Sequence, residues 1–202
     1  AGGRRPVQWS EVYDHFKTAL PKKVIVHVWK SVTNVTEVLA NGYQVLRNVG
    51  YDSTSWYLDN LNINWQAVYS NEPCHDVPDN LCGRILGGHG EMWGETVDTS
   101  DIEQTVWPRL GAIAEKLWSP ASVTSCNLPP GPATAPQHPR SETRSNGYNA
   151  TAAAVNCTAI DSAFPRISAF RCLLNRRGVR AAPLMNYEAR AAPHGPGGCL
   201  EQ

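Results

Sequence analysis

Apolar residues along this chain switch repeatedly between strand-like and helix-like spacing. Val24-Ile25-Val26-His27-Val28-Trp29 is β-branched and nearly continuous, the pattern of a strand buried on both faces. Ahead of it, Pro6-Val7-Gln8-Trp9 predicts a short strand end, and Glu11 to Leu20 predicts a helix with Val12, Phe16 and Leu20 on one stripe. Behind it, Val35, Val38 and Leu39 predict a helix that stops at Asn41-Gly42, a pair suited to a left-handed terminus. Tyr43 to Asn48 predicts another strand, leading into Ser55-Trp56-Tyr57-Leu58-Asp59, and Ile85 to Trp93 predicts a fourth. Asp98 to Asp101 supplies turn and cap residues. Trp107-Pro108-Arg109-Leu110 then opens a helix whose Leu110, Ile113, Ala114 and Leu117 recur at helical spacing. Alternating strands and helices predict an α/β fold with a parallel sheet and helical crossovers. Four such units amount to half of an eightfold (β/α)8 barrel.

The pattern breaks after Trp118. Residues 119–162 are rich in Pro, Ala, Ser, Thr and Asn without apolar periodicity, so they read as a surface insertion. Residues 163–202 follow, with Ile167, Phe170 and Leu174 predicting a closing helix that ends at Gly178. The expected division is therefore a half-barrel α/β segment over 1–118, the insertion over 119–162, and a closing helix and tail of the same domain over 163–202.

Composition narrows the function classes. The 202 residues carry 18 basic and 18 acidic side chains, and no basic stripe interleaved with aromatics, so nucleic-acid binding has no support. No apolar run is long enough to span a membrane. The start, Ala1-Gly2-Gly3-Arg4-Arg5, offers neither an initiator methionine nor an apolar signal region, and reads as part of a longer protein. Six cysteines and three sequons, at Asn34, Asn149 and Asn156, favour an oxidising compartment and N-glycosylation. Six cysteines permit about fifteen pairings. Loop-closure entropy favours the local ones, Cys74–Cys82, Cys126–Cys157 and Cys172–Cys199. A zinc site from Cys74, His75, Cys82 and His89 lacks a C-x-x-C half-site, so no metal is expected.

The most informative segment is Gly87-Gly88-His89-Gly90-Glu91-Met92-Trp93-Gly94-Glu95. If the strand runs through it, side-chain alternation sends His89, Glu91, Trp93 and Glu95 to one face. A core has little reason to gather three ionisable groups and a ring, because unpaired buried charge is costly. A sugar pocket has one, since rings stack on pyranose faces and carboxylates accept from hydroxyls. The full string, GGHGEMWGETVDTSDIEQTVWPRLGAIAEKLWS, resembles the last strand, loop and helix of the glycoside hydrolase family 20 β-N-acetylhexosaminidases. The segment Gln8-Trp9-Ser10-Glu11-Val12-Tyr13-Asp14 is similar to that family's tryptophan-led stretch after the fifth strand. Val26-His27-Val28-Trp29-Lys30 is similar to its sixth strand, and Trp56-Tyr57-Leu58-Asp59 to its seventh. The tail from Phe170 to Pro183 also looks like the family's closing helix and extension, with Cys172–Cys199 as its closing disulfide.

The resemblance implies hydrolysis of terminal N-acetyl-β-hexosamines by a retaining, substrate-assisted mechanism with the acetamido oxygen as nucleophile. It implies a box of Trp9, Trp29 and Trp93 around the acetamido group, with Tyr57 donating to its oxygen and Asp59 and Glu95 holding distal hydroxyls. No cofactor is implied. The partners are N-acetylhexosamine-terminated glycans, with a homodimer open to the full-length protein, and the location is the secretory pathway, lysosomal, vacuolar or extracellular. The chain departs from the family in containing no adjacent Asp-Glu pair, the family's catalytic acid and its partner. His89 also stands where relatives carry a glutamate. The reading is therefore the carboxy-terminal half of the barrel, supplying sugar-binding residues and not the acid. The alternative is a non-catalytic acetamido-sugar-binding remnant. Read singly, each box tryptophan fits a core, Tyr57 a packed ring, Asp59 a turn cap, and Glu91 and Glu95 solvated charges. Trp56, Trp65, Trp107 and Trp118 are expected in the core or between helices.

Overall fold

Residues 3–30, 33–48, 56–61, 63–126 and 157–184 are described by the computed structural model. Strands β1 (Val7–Trp9), β2 (Ile25–Val28), β3 (Gln44–Arg47) and β4 (Ile85–Gly87) form a parallel sheet in sequence order. Val7 pairs with Ile25, Val26 with Val45, and Val45 with Ile85, after which the β3–β4 register shifts. Parallel order with interspersed helices is the architecture of a partial (β/α)8 barrel.

The chain divides into two compact units. The first, residues 1–53 with 73–88 and 128–154, contains the sheet. Its core joins Val26, Val28 and Val45 of the strands to Val38 and Leu39 of helix α2 (Val35–Ala40), with Tyr13 and Tyr43. Val26, His27 and Val28 are buried in succession, as a strand covered on both faces requires. Helix α2 starts where the Asn34 side chain accepts the Glu37 amide and stops at Gly42, whose φ of +87° is the left-handed conformation the Asn-Gly pair predicted. Helix α1 (Ser10–Phe16) departs from expectation. Tyr13 and Ser10 turn inward, while Phe16 is exposed. Tyr13 can enter the core because its hydroxyl is satisfied there, donating to Glu37 and accepting from Asn41 Nδ2 at 2.7 Å. Cys74–Cys82 staples the loop that carries α4 (Asp79–Cys82), and Arg47 holds that loop through the carbonyls of Pro73 and His75.

The second unit, residues 54–72, 89–127 and 155–202, is mostly helical. It contains α3 (Trp65–Ser70), α5 (Ile102–Val106), α6 (Arg109–Trp118), α7 (Ala121–Thr124) and α8 (Thr158–Arg176). Helix α8 begins inside the stretch assigned to the insertion, as does all of α7. Trp65, Val68, Ala112, Ile113, Ala163 and Ile167 are buried, and the Phe170 ring lies against Gly111. The buried face of α6 is displaced from the apolar stripe: Arg109 and Lys116 are buried and Ala114 is exposed. Both cations are tolerated because carbonyls surround them. Lys116 donates to Thr124 O at 2.7 Å and pairs with Glu72, which also accepts the Cys126 amide. Trp56 and Trp65 are core residues as expected, whereas Trp118 is 90% exposed at the end of α6. Cys126 pairs with Cys157, and Cys172 is disulfide-bonded; Cys199 lies outside the described residues.

Candidate active site

In the first unit, Trp9 ends β1 and immediately precedes α1, so its ring sits at the carboxyl end of its strand. Trp29 directly follows β2. The two rings meet edge to face with centroids 6.4 Å apart, and Trp9 also packs on His27 at 4.6 Å. Both remain open to solvent, Trp9 by 41% and Trp29 by 42%. The Trp29 indole donates to Glu11 Oε2 at 3.0 Å, Lys30 pairs with Glu11 Oε1 at 2.6 Å, and the Lys30 ammonium lies 4.8 Å from the Trp29 ring centroid. Desolvation raises the Glu11 pKa, but the bonds from Lys30 and Trp29 and the charge of Lys30 outweigh it and hold it at about 2. Glu11 is thus a fixed anion that orients the Trp29 ring. The sequence reading missed it. Its position two residues after Trp9, facing the residue after Trp29 across adjacent strand ends, is a signal that only the strand register reveals.

The second unit carries Tyr57, Asp59, Trp93 and Glu95. Sheet β4 ends at Gly87, whose φ of +132° turns the chain, so the predicted strand through Trp93 is not continuous. The chain pairs again at one bridge, Tyr57 with Glu91, where the Leu58 amide donates to Glu91 O and the Glu91 amide to Trp56 O. His89, Glu91, Trp93 and Glu95 consequently do not line a single strand face. Glu91 is buried while Trp93 is 62% exposed, and Glu91 holds the Trp93 indole N–H at 3.2 Å and pairs with His89 Nε2 at 2.8 Å. Asp59 is only 4% exposed; its Oδ2 accepts the Trp93 amide at 2.7 Å and its Oδ1 the Glu95 amide at 2.8 Å. Tyr57 donates its hydroxyl to Glu95. Tyr57, Asp59, Trp93 and Glu95 therefore form one hydrogen-bonded group. It can offer an aromatic face, a phenol and a carboxylate to a neutral polar ligand.

Of the residues set aside as a zinc set, Cys74 and Cys82 are joined in a disulfide, so neither offers a thiolate. Asn34 is exposed at the start of α2, while Asn149 and Asn156 lie outside the described residues. A second residue the sequence reading missed is Arg109, buried in the first turn of α6. The signal was present: a cation in a helix's first turn opposes the helix dipole and needs a reason to be there.

Comparison with known proteins supplies the lineage. The family described as "Glycosyl hydrolase family 20, catalytic domain" matches residues 1–121. Beta-hexosaminidase 1 of Arabidopsis thaliana is 37% identical over 199 residues, covering 98% of this chain and 30% of the relative. Beta-hexosaminidase 3 of the same plant is 36% identical over 201 residues, covering 99% of this chain and 31% of the relative. Among solved structures, a chitobiase of Flavobacterium johnsoniae aligns at 30% identity and a TM-score of 0.49, covering 60% of this chain and 19% of that one. The chain thus spans about three-tenths of the length of the curated relatives it matches. With the catalytic-domain match covering more than half of its residues, the chain belongs to glycoside hydrolase family 20.

Proposed function

We propose that this chain is the sugar-binding portion of a retaining β-N-acetylhexosaminidase, the carboxy-terminal half of its catalytic barrel. The observation that carries the reading is the contrast among tryptophans. Trp9, Trp29 and Trp93, at the matched box positions, are exposed rings, with the indole N–H of Trp29 held by Glu11, that of Trp93 by Glu91, and the Trp9 ring packed on His27, while Trp56 and Trp65 are buried. An exposed ring fixed in orientation is costly for a core and useful for stacking on a pyranose. In the proposed reaction the substrate's acetamido oxygen attacks the anomeric carbon while an acid from outside this chain protonates the leaving oxygen. The family resemblance assigns Trp9, Trp29 and Trp93 to holding the acetamido group beneath the ring, which supplies the orientation contribution. Tyr57 donates to the acetamido oxygen, and Glu95 accepts from distal hydroxyls. In the free protein that single phenolic proton is donated to Glu95, so sugar binding turns it from Glu95 to the acetamido oxygen.

The disulfides support an oxidising, secretory-pathway setting, lysosomal, vacuolar or extracellular, and exposed Asn34 is proposed as an N-glycan acceptor. The test is an assay of the complete protein on a chromogenic N-acetyl-β-glucosaminide, alongside equilibrium binding of N-acetylglucosamine. Turnover supports the enzyme. Binding without turnover would establish the sugar-binding remnant instead.

A further inference from the structure

Helix α6 opens on a cation that its own dipole disfavours, and the surroundings of that cation explain its presence. The Arg109 guanidinium is buried at 6% exposure and donates to four backbone carbonyls. Nη1 reaches Asn60 O at 2.7 Å and Ile63 O at 3.1 Å, Nη2 reaches Leu58 O at 2.5 Å, and Nε reaches Thr105 O at 3.0 Å. Three of these carbonyls, those of Leu58, Asn60 and Ile63, lie outside any strand or helix that would satisfy them. Two of them, Leu58 and Asn60, flank Asp59. Asp59 in turn accepts the amides of Trp93 and Glu95, and its carbonyl accepts the Thr96 hydroxyl at 3.2 Å.

We propose that Arg109 is a positioning residue of the sugar site: it grips the peptide on both sides of Asp59, and Asp59 passes that constraint to the backbone of Trp93 and Glu95. The guanidinium suits the task because its planar fork presents five donors at fixed angles, enough to span carbonyls from residue 58 to residue 63. A lysine presents three donors at one point and cannot span them. The carboxylate of Asp59 is equally specific. Both of its oxygens take a backbone amide, whereas asparagine keeps one accepting oxygen and turns a donor toward the other amide. Neither residue needs to touch the reacting atoms to matter, since a small displacement of an orienting wall is felt in turnover. The inference rests on the proposed function for the word sugar, but the bracket itself is a matter of backbone order and is read without any substrate.

The experiment compares Arg109→Lys and Asp59→Asn with the unaltered complete protein, by hydrogen exchange at the amides of residues 89–96 and by steady-state kinetics. Exchange at Trp93 and Glu95 is expected to quicken by at least about tenfold in both variants, with protection at Ile167 in α8 unchanged. Where the unaltered protein turns over substrate, kcat/KM is expected to fall at least about tenfold in both. Unchanged exchange at Trp93 and Glu95 overturns the proposal even if Tm falls, because that is the outcome of a merely structural arginine. Quickened exchange with undiminished kcat/KM overturns the positioning role. Quickened exchange in a protein that has no turnover upholds the bracket and removes the enzymatic reading. If Arg109→Lys does not fold, Asp59→Asn decides, since it leaves the buried cation and its carbonyls in place.

Discussion

Trp29 is open to solvent, yet its indole N–H is bound to Glu11 and Lys30 sits beside its ring and on the same carboxylate. Replacing Glu11 by alanine removes the acceptor and frees the ring; replacing it by glutamine keeps an acceptor and discards only the charge pair. In the complete protein, Glu11→Ala should weaken N-acetylglucosamine binding by about 3- to 10-fold and Glu11→Gln by less than about threefold, from the usual worth of one hydrogen bond. Calorimetric titration reads the difference, and equal losses would mean that orientation of Trp29 is irrelevant. The same carboxyl sets a pH dependence. Its folded pKa of about 2 lies below its ordinary 4.5, so the fold favours the ionised form. That contribution is fully present above about pH 4.5 and is lost as pH falls through about 2. The pair is half-exposed, so it is worth only ~0.2–1 kcal/mol. The stability gap between the unaltered chain and Glu11→Gln should therefore shrink as pH falls across that window, as urea titrations at several pH values would show. Trp93→Ala distinguishes pocket from core at the other group. With its ring exposed, the stability change should stay under about 1 kcal/mol. Turnover of the complete protein should fall by about 100-fold, as expected for loss of an orienting wall. A drop of ~3–5 kcal/mol with normal kinetics would restore the core reading.

At the scale of elements, two glycines mark where packing leaves no room for a side chain. A Cβ at Gly111 on α6 would stand 2.6 Å from Phe170 Cε1, on α8. A Cβ at Gly90 would stand 2.6 Å from Leu110 Cδ1 and 3.2 Å from Ile113 Cδ1. Overpacking of this kind usually costs ~1–3 kcal/mol. Gly111→Ala should show such a loss in chemical denaturation even though alanine favours helices, and a gain would mean that the Phe170 ring swings aside freely. Neither close approach was legible beforehand, because a glycine's own sequence position gives no hint of the side chain packed against it, Phe170 at Gly111 and Leu110 at Gly90. The strands were legible because both-face burial writes a continuous β-branched run, as in Val24 to Val28, and α2 was legible through Val35, Val38 and Leu39 and its stop at Asn41-Gly42. The inner face of α6 was not. Hydropathy assigns Arg109 and Lys116 to solvent, and the carbonyls of Leu58, Asn60, Ile63, Thr105 and Thr124, with the Glu72 carboxylate, make their burial possible. The proposed site was drawn as a set of residue types from the resemblance to the family. Its wiring was not, because Asp59 accepting two amides and Glu91 holding an indole depend on a break in the strand at Gly87 that no alternation pattern records.

Across the whole molecule, each compact unit carries a disulfide closed within itself, Cys74–Cys82 in the first and Cys126–Cys157 in the second. The sequence separations are 8 and 31, so the two bridges restrict the unfolded chain unequally. Loop entropy alone assigns about 2.5 kcal/mol to the shorter and about 3.7 kcal/mol to the longer. The local surroundings widen this difference. Cys126 is buried, and its amide is held by Glu72, the partner of buried Lys116. Opening that bridge loosens Cys126 and with it the anchor of Glu72, the carboxylate that offsets the desolvation of buried Lys116. The Cys74–Cys82 loop is pinned independently by Arg47 through two carbonyls, so it keeps its shape better when reduced. The paired variant Cys126→Ser with Cys157→Ser should therefore lose more stability than Cys74→Ser with Cys82→Ser, by about 1 kcal/mol or more. Denaturation midpoints of the two variants under non-reducing conditions measure it. Equal losses would show that chain entropy and the Lys116–Glu72 anchor do not act together, and a larger loss at Cys74–Cys82 would place the dominant constraint in the sheet unit. The first outcome carries a functional consequence. A protein whose helical unit depends on an oxidised Cys126–Cys157 bridge would keep the Trp93 group ordered only where thiols are oxidised, as in the secretory pathway.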